Sequence, residues 1–266
     1  MKSAVYKKAG QVGIEEVTRP SIQEADDVII RVVRACVCGS DLWSYRNPDI
    51  KAGHKNSGHE AIGIVEETGE AITTVKPGDF VIVPFTHGCG ECDACRAGFD
   101  GSCDNHIGNN LGGNFQAEYL RFHYANWALV KIPGQPSDYT EGMLKSLLTL
   151  ADVMPTGYHA ALECVGTEAA VEQALGVLHN GGRMGFVGVP HYKNRALGST
   201  FMQNISVAGG AASATTYDKQ FLLKAVLDGD INPGRVFTSS YKLKDIDQAY
   251  KAMDERKTIK SMIVMD

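Results

Sequence analysis

Two groups of residues in this chain have the types and spacing to hold metal. The first is Cys89-x2-Cys92-x2-Cys95-x7-Cys103, set in a stretch rich in glycine and polar residues. Four thiolates gathered in a loop without a core of its own match a closed tetrahedral zinc site, where binding free energy becomes folding free energy. An iron–sulfur cluster and a pair of disulfides are the rival readings of the same spacing. His87 and His106 flank the loop. Four cysteines already fill a tetrahedral shell, so both histidines are read as surface residues or as residues behind the ligands. The second group is Cys36-Val37-Cys38-Gly39-Ser40-Asp41 together with Gly58-His59-Glu60. A thiolate and an imidazole suit zinc, and three protein ligands with an open fourth position would make the site catalytic. Taken alone, a cysteine and a distant histidine more often belong to a core than to a metal. Cys36 could face the same way as Cys38 on a strand, and it is read as packing rather than ligand.

These groups need elements to position them. Residues 1–130 are rich in short strand-like runs, clearest at 28–33, 61–65 and 80–83, with Lys76-Pro77-Gly78-Asp79 as a turn. Such spacing predicts a small barrel or a partly open sandwich. From about residue 138 the period changes. Met143, Leu144, Leu147, Leu148 and Ala151 recur at helical spacing, and residues 169–178 form a second helix ended by Asn180-Gly181-Gly182. Residues 183–189 and 205–208 read as buried strands, and helix–strand alternation of this kind predicts a parallel sheet. Helices follow at 217–228 and 246–253, with a last strand at 260–264.

Gly58-His59-Glu60-x2-Gly63-x5-Gly69-x2-Ile72 resembles the zinc-containing alcohol dehydrogenase signature of the medium-chain dehydrogenase/reductase superfamily. The four-cysteine loop, Cys38-Gly39-Ser40-Asp41 and Pro77-Gly78-Asp79-Phe80-Val81 fall where that family has them, and the likeness runs over essentially the whole chain. The resemblance implies a mixed α/β fold. A GroES-like β-barrel catalytic domain (residues 1–153 and 241–266) would join a truncated doubly wound parallel-sheet lobe, a half-Rossmann unit over 154–240. It also implies a catalytic zinc on Cys38, His59 and Asp152, with Glu60 as an adjacent, exchangeable ligand. Asp152 lies in Ala151-Asp152-Val153-Met154-Pro155-Thr156-Gly157, matching family members that use Asp there. Ser40 corresponds to the family's proton-relay hydroxyl. Trp43 stands where some members complete that relay with histidine, so any relay would have to differ.

The chain departs from the family in one place. The family's nucleotide domain has strand order 3-2-1-4-5-6, with the phosphate fingerprint in its first βα turn. No G-x-G-x-x-G occurs here, and no acidic residue follows at the ribose spacing. Gly182-x2-Gly185-x2-Gly188 has the wrong spacing and lies within a strand. After Tyr158-His159 the chain passes directly into Leu162-Glu163-Cys164-Val165-Gly166, which reads like a later strand of the same domain. Strands 4, 5 and 6 would be 162–165, 184–189 and 205–208. Loss of two βαβ crossovers, of roughly 30 residues each, accounts for the shortness of the chain. Without the pyrophosphate turn and the ribose carboxylate, NAD(P) is an unlikely cofactor.

Composition excludes other classes. A net charge of −5 gives no basic face for nucleic acid, and no apolar stretch is long enough to span a membrane. Seven cysteines with no secretion signal at the amino terminus point to metal thiolates and a cytoplasmic setting. The expectation is therefore two zinc ions per chain, with a small-molecule ligand at the open one. The favoured reading is a zinc protein without a functional dinucleotide site, in which a zinc-bound water could support hydrolysis, hydration or lyase chemistry, since zinc can lower that water's pKa to about 7. A dehydrogenase with a degenerate or oligomer-built cofactor site, and a structural or partner-binding zinc protein, are the alternatives. Removal of strands 1–3 would leave strand 4 with a bare apolar edge. Cover from the same chain or from a partner in a homodimer or tetramer is expected there.

Overall fold

The chain is described by a computed structural model, which covers residues 1–53, 57–105, 114–159, 165–188, 198–209 and 216–265. An antiparallel hairpin comes first, β1 (Lys2–Lys8) with β2 (Gln11–Glu16). The centre of the fold is β3 (Val28–Cys36). Val28, Ile30 and Val32 join one apolar cluster while Val33 and Cys36 pack with another, so the strand is covered on both faces as well as paired along both edges. β4 (Ala61–Thr68) lies antiparallel along one edge. β6 (Tyr119–Phe122) and β11 (Lys260–Val264) share the other, end to end. β5 (Phe80–Val83) and β7 (Val130–Ile132) extend the sheet beyond β4, and β10 (Phe237–Lys242) runs parallel to β11. The order is β10-β11-β3-β4-β5-β7. Its end strands do not pair, so the expected barrel is not closed among the described residues.

Gly63 shows why the signature glycines are needed. A Cβ there would sit 2.5 Å from the Arg31 carbonyl oxygen on β3. The two strands approach this closely where their register shifts, between Val32 and Arg34, so only glycine fits.

Helices cover both faces of the sheet. α1 (Asp41–Arg46) follows the Cys38 turn, α2 (Asp93–Arg96) lies inside the cysteine loop, and α3 (Ala125–Ala128) precedes β7. α4 (Glu141–Thr149) starts at Thr140, whose hydroxyl accepts from the Met143 N–H, and buries Leu144, Leu147 and Leu148. α5 (Val153–His159) follows at once. α6 (Glu168–Gly176), β8 (Arg183–Phe186), α7 (Gly198–Met202), β9 (Ser206–Gly209) and α8 (Thr216–Asp228) come next, and α9 (Ile246–Asp254) lies between β10 and β11. α9 buries Ile246, Ala249, Tyr250 and Met253, the i, i+3, i+4, i+7 face of an amphipathic helix. One apolar cluster lies under the hairpin and α9, and a second lies under α4 and α8.

β8 and β9 pair in parallel, Met184 opposite Val207, as the helix–strand alternation predicts. Among the described residues their core is small, with Val171, Ala174 and Met184 buried. Strand 4 of the expectation lies outside the described residues except for Val165, which is 60 % exposed. The predicted 183–189 strand ends at Phe186, and that of 205–208 begins one residue later than expected. Among the described residues, no helix is long and apolar enough to cross a membrane.

Candidate metal centres

The cysteine loop brings Cys89, Cys92, Cys95 and Cys103 together with all four ligand atoms within 4.8 Å of one another. Cys92 Sγ lies 3.9 Å from Cys103 Sγ. Sulfurs at the corners of a tetrahedron with Zn–S bonds of about 2.3 Å stand about 3.8 Å apart, so the spacing fits. The loop's backbone is turned toward these sulfurs. Glu91 and Cys92 N–H groups donate to Cys89 Sγ at 3.4 Å, Cys95 N–H donates to Cys92 Sγ at 3.4 Å, and Cys89 N–H donates to Cys103 Sγ at 3.3 Å. Asn105 adds a side-chain donor to Cys89 Sγ at 3.3 Å. Burial works against the Cys89 thiolate, yet these donors pull its pKa down to about 7. Burial dominates at Cys95 and Cys103 and pushes both thiols up. Four sulfurs this close can all ionise only around a cation, which is the condition a structural metal meets. None of these cysteines is in a disulfide.

His87 is not a surface residue. It is buried, stacks on Phe122 with ring centroids 4.3 Å apart, and stands outside the four-sulfur group. His106 lies outside the described residues.

The second centre draws on three segments. Cys38 lies in the turn between β3 and α1, His59 and Glu60 lie just before β4, and Asp152 lies in the turn between α4 and α5. Their ligand atoms also fall within 4.8 Å of one another. Asp152 Oδ2 is 3.6 Å from Cys38 Sγ and 3.3 Å from His59 Nε2. The other ring nitrogen, His59 Nδ1, faces Asp41 Oδ1 at 3.3 Å. Asp41 is itself fixed by the Cys38 N–H, which donates to its Oδ2 at 2.8 Å. Burial opposes a charge on His59, but Asp41 and Asp152 outweigh it and raise the imidazole well above its ordinary range. Asp152 stays below the usual carboxylate range despite burial, because His59 and Thr156 hold its charge. A divalent cation would take the place of the proton on Nε2, leaving Nδ1–H for Asp41. That is the carboxylate–histidine–metal arrangement metal sites use to orient a ligand.

Glu60 is fully buried. Its Oε1 accepts from Lys260 Nζ of β11 at 2.7 Å, and its Oε2 has no hydrogen-bond partner. Burial raises the Glu60 carboxyl, while Glu60 and the neighbouring thiols hold Lys260 charged against the same burial. Cys36 is fully buried beside this pair and stands outside the ligand group, so it packs rather than ligates. Ser40 is exposed, and its hydroxyl makes no capping bond to α1.

Three residues of this centre have no role in the sequence reading: Asp41, Thr156 and Lys260. Asp41 was within reach, since an acid three residues past a candidate ligand cysteine can turn back onto the site. Lys260 had no local signal, because the contact with Glu60 spans 200 residues.

Residues 24–134 match the alcohol dehydrogenase GroES-like domain. The chain is 36 % identical over 173 residues to an uncharacterised zinc-type alcohol dehydrogenase-like protein of Bacillus subtilis, covering 59 % of this chain and 44 % of that protein. It is 32 % identical over 178 residues to a glutathione-independent formaldehyde dehydrogenase of Pseudomonas aeruginosa, covering 60 % of this chain and 44 % of the other. The chain thus spans less than half the length of these two curated relatives. Among solved structures, an alcohol dehydrogenase from Thermus sp. ATN1 superposes with a TM-score of 0.84 at 22 % identity, over 100 % of both chains. That likeness is one of fold.

Proposed function

We propose that the chain, whose residues 24–134 match the alcohol dehydrogenase GroES-like domain, is a member of the zinc-containing alcohol dehydrogenase family of the medium-chain dehydrogenase/reductases that binds two zinc ions and does not itself carry a dinucleotide site. Cys89, Cys92, Cys95 and Cys103 hold the first ion and organise their loop. Cys38, His59 and Asp152 hold the second, with Glu60 beside them. The carrying observation is the convergence of a thiol, an imidazole and two carboxylates from distant segments within 4.8 Å. Zinc there supplies a Lewis acid toward the oxygen of a small ligand. Asp41 and Thr156 orient the His59 ring and the Asp152 carboxylate, and Lys260 holds back one oxygen of Glu60. A cytoplasmic setting keeps the thiols of both centres reduced.

Support for the missing cofactor site comes from chain length. α5 ends at His159 and α6 begins at Glu168, so only residues 160–167 separate them. A βαβ crossover needs about 30, and the protein must position a nicotinamide for hydride transfer. The reading is of a zinc protein with non-redox chemistry rather than of a dehydrogenase. A dehydrogenase with a cofactor site built in an unusual way is the second reading, favoured by the formaldehyde dehydrogenase among the relatives. Residues 154–240 form the truncated lobe, and its incomplete sheet makes a homo-oligomer the proposed state.

Calorimetric titration of the zinc-loaded chain with NAD(H) and NADP(H), and an absorbance assay for reduced nicotinamide, separate the two readings. The expected result is no saturable binding in the sub-millimolar range and no alcohol-dependent reduction. Turnover abolished by Cys38→Ser would establish the dehydrogenase instead.

A further inference from the structure

Behind the second centre lies a buried run of hydrogen bonds that touches no ligand atom. Gln116 Nε2 donates to the Cys36 carbonyl at 2.9 Å. Its Oε1 accepts from the Tyr250 hydroxyl at 2.9 Å. Tyr250 Oη lies 3.3 Å from Tyr6 Oη, and the Tyr6 hydroxyl donates to the Asp41 carbonyl at 3.2 Å. Tyr6, Gln116 and Tyr250 are all fully buried. Proton counting fixes the direction of the run. The Cys36 carbonyl can only accept, so the Gln116 amide nitrogen must face it and the amide oxygen must face Tyr250. Tyr250 gives its one proton to Gln116, so only the Tyr6 proton can bridge the two tyrosines, and the Tyr6 hydroxyl shares it between Tyr250 and the Asp41 carbonyl.

The two ends of this run bracket a ligand. Cys36 is two residues before Cys38, and Asp41 is three residues after it. The middle of the run touches the other ligand's segment. Gln116 N–H donates to the Ser57 carbonyl at 3.3 Å. Gly58, with φ of +73°, leaves no room for a Cβ, which would lie 2.6 Å from Gln116 Cγ. Gln116 therefore fits between the chain leading to His59 and the chain leading to Cys38. Tyr250 brings α9 into the same contact, with its ring against Tyr45 of α1 at 5.3 Å between centroids.

We propose that Gln116, Tyr250 and Tyr6 are positioning residues that set the separation of Cys38 and His59, and so hold the open centre in the shape a tetrahedral metal requires. The inference rests on the reading of that centre as a zinc site. Removing one hydroxyl or the amide leaves a buried partner unsatisfied and frees the Cys38 turn to move against His59. Outer-shell partners of a metal site typically change metal affinity by about 10–100-fold when lost.

The test is zinc release from the full-length, zinc-loaded chain into graded chelator. X-ray absorption at each stage tells the all-sulfur ion from the mixed-ligand ion. In Tyr250→Phe and in Gln116→Met the mixed-ligand zinc is expected to leave at roughly tenfold lower chelator activity, with the all-sulfur zinc unmoved. Tyr45→Phe changes the same aromatic packing without entering the run, and is expected to behave as wild type. Release of both ions at wild-type chelator levels in the two variants would overturn the proposal. So would an equal shift of both ions, or the same shift in Tyr45→Phe, since each would reduce the run to general packing. A wild-type chain holding only the all-sulfur zinc would remove the metal centre itself, and this inference with it.

Discussion

The contact between Lys260 and Glu60 places an ammonium and a carboxylate where water scarcely reaches, with Lys260 6 % and Glu60 0 % exposed. A pair so buried returns little net stability, because the cost of desolvating both charges offsets their attraction. Breaking it from one side is different, since the remaining charge is left alone in the core. Lys260→Met is therefore expected to cost about 3–5 kcal/mol in denaturant unfolding. The double variant Lys260→Met/Glu60→Gln should recover much of that loss. A single variant as stable as wild type would show that Glu60 is already protonated. At this scale the candidate ligand clusters were legible in the sequence and the residues that support them were not. Cys38, His59 and the four loop cysteines carry the chemistry in their own side chains. Asp152 entered only through a family resemblance, as a carboxylate at a helix start has many other uses. Lys260 reads as an ordinary strand residue until the sheet places β11 against β3.

Among the elements, the cysteine loop carries a natural reporter. Gly90, at φ of +79°, has Trp127 of α3 against it, and a Cβ there would lie 2.7 Å from the indole. The indole N–H donates to Asp100 at 3.1 Å. Stripping zinc from the loop, or Cys92→Ser, should loosen this contact and shift Trp127 emission to the red. The measurement is made with Trp43→Phe as background, and unchanged emission on metal loss would detach the loop fold from its metal. α8 offers a pH signal. Lys219 is buried, and burial lowers its pKa from 10.5 to about 8, with Asp100 and Asp218 opposing. Below pH 8 both folded and unfolded amines are charged, and the full cost of burying the charge is present. Between pH 8 and 10.5 the folded amine loses its proton first, so stability rises with pH. That window should gain on the order of 3 kcal/mol for this group, and Lys219→Met should abolish the gain. Helices and central strands were legible because their apolar residues keep one period. The β1–β2 hairpin was not, since β1 is buried at four successive positions and shows no alternation. The strand ends also ran past the sequence reading, to Cys36 and Thr68, where pairing partners rather than side-chain type sustain them.

Taken whole, the molecule is uneven in how its surface is finished. The large sheet is covered on both faces, while the β8–β9 lobe has a small core and exposes large apolar side chains. Phe201 and Met202 of α7 are 82 % and 83 % exposed, and Val177 at the end of α6 is 78 % exposed. Exposed apolar residues in one lobe suit the proposed homo-oligomer, in which another chain would cover them. Sedimentation analysis is expected to show a dimer or tetramer, and Phe201→Asp with Met202→Asp is expected to yield monomers that keep both zinc ions. A wild-type monomer would leave this lobe without cover and refute the oligomer.

The insertion of β11 between β10 and β3 also fixes an order of assembly. The four loop cysteines lie within residues 89–103, so that centre can close by local search soon after those residues leave the ribosome. The other centre needs residues 38, 59 and 152 and the Lys260 contact across 200 positions, and closing so long a loop is slow. Refolding in the presence of zinc should then capture the metals in sequence, the all-sulfur ion early and the mixed-ligand ion only as the last strand enters the sheet. A nascent chain halted before β11 would hold one zinc and wait for the second.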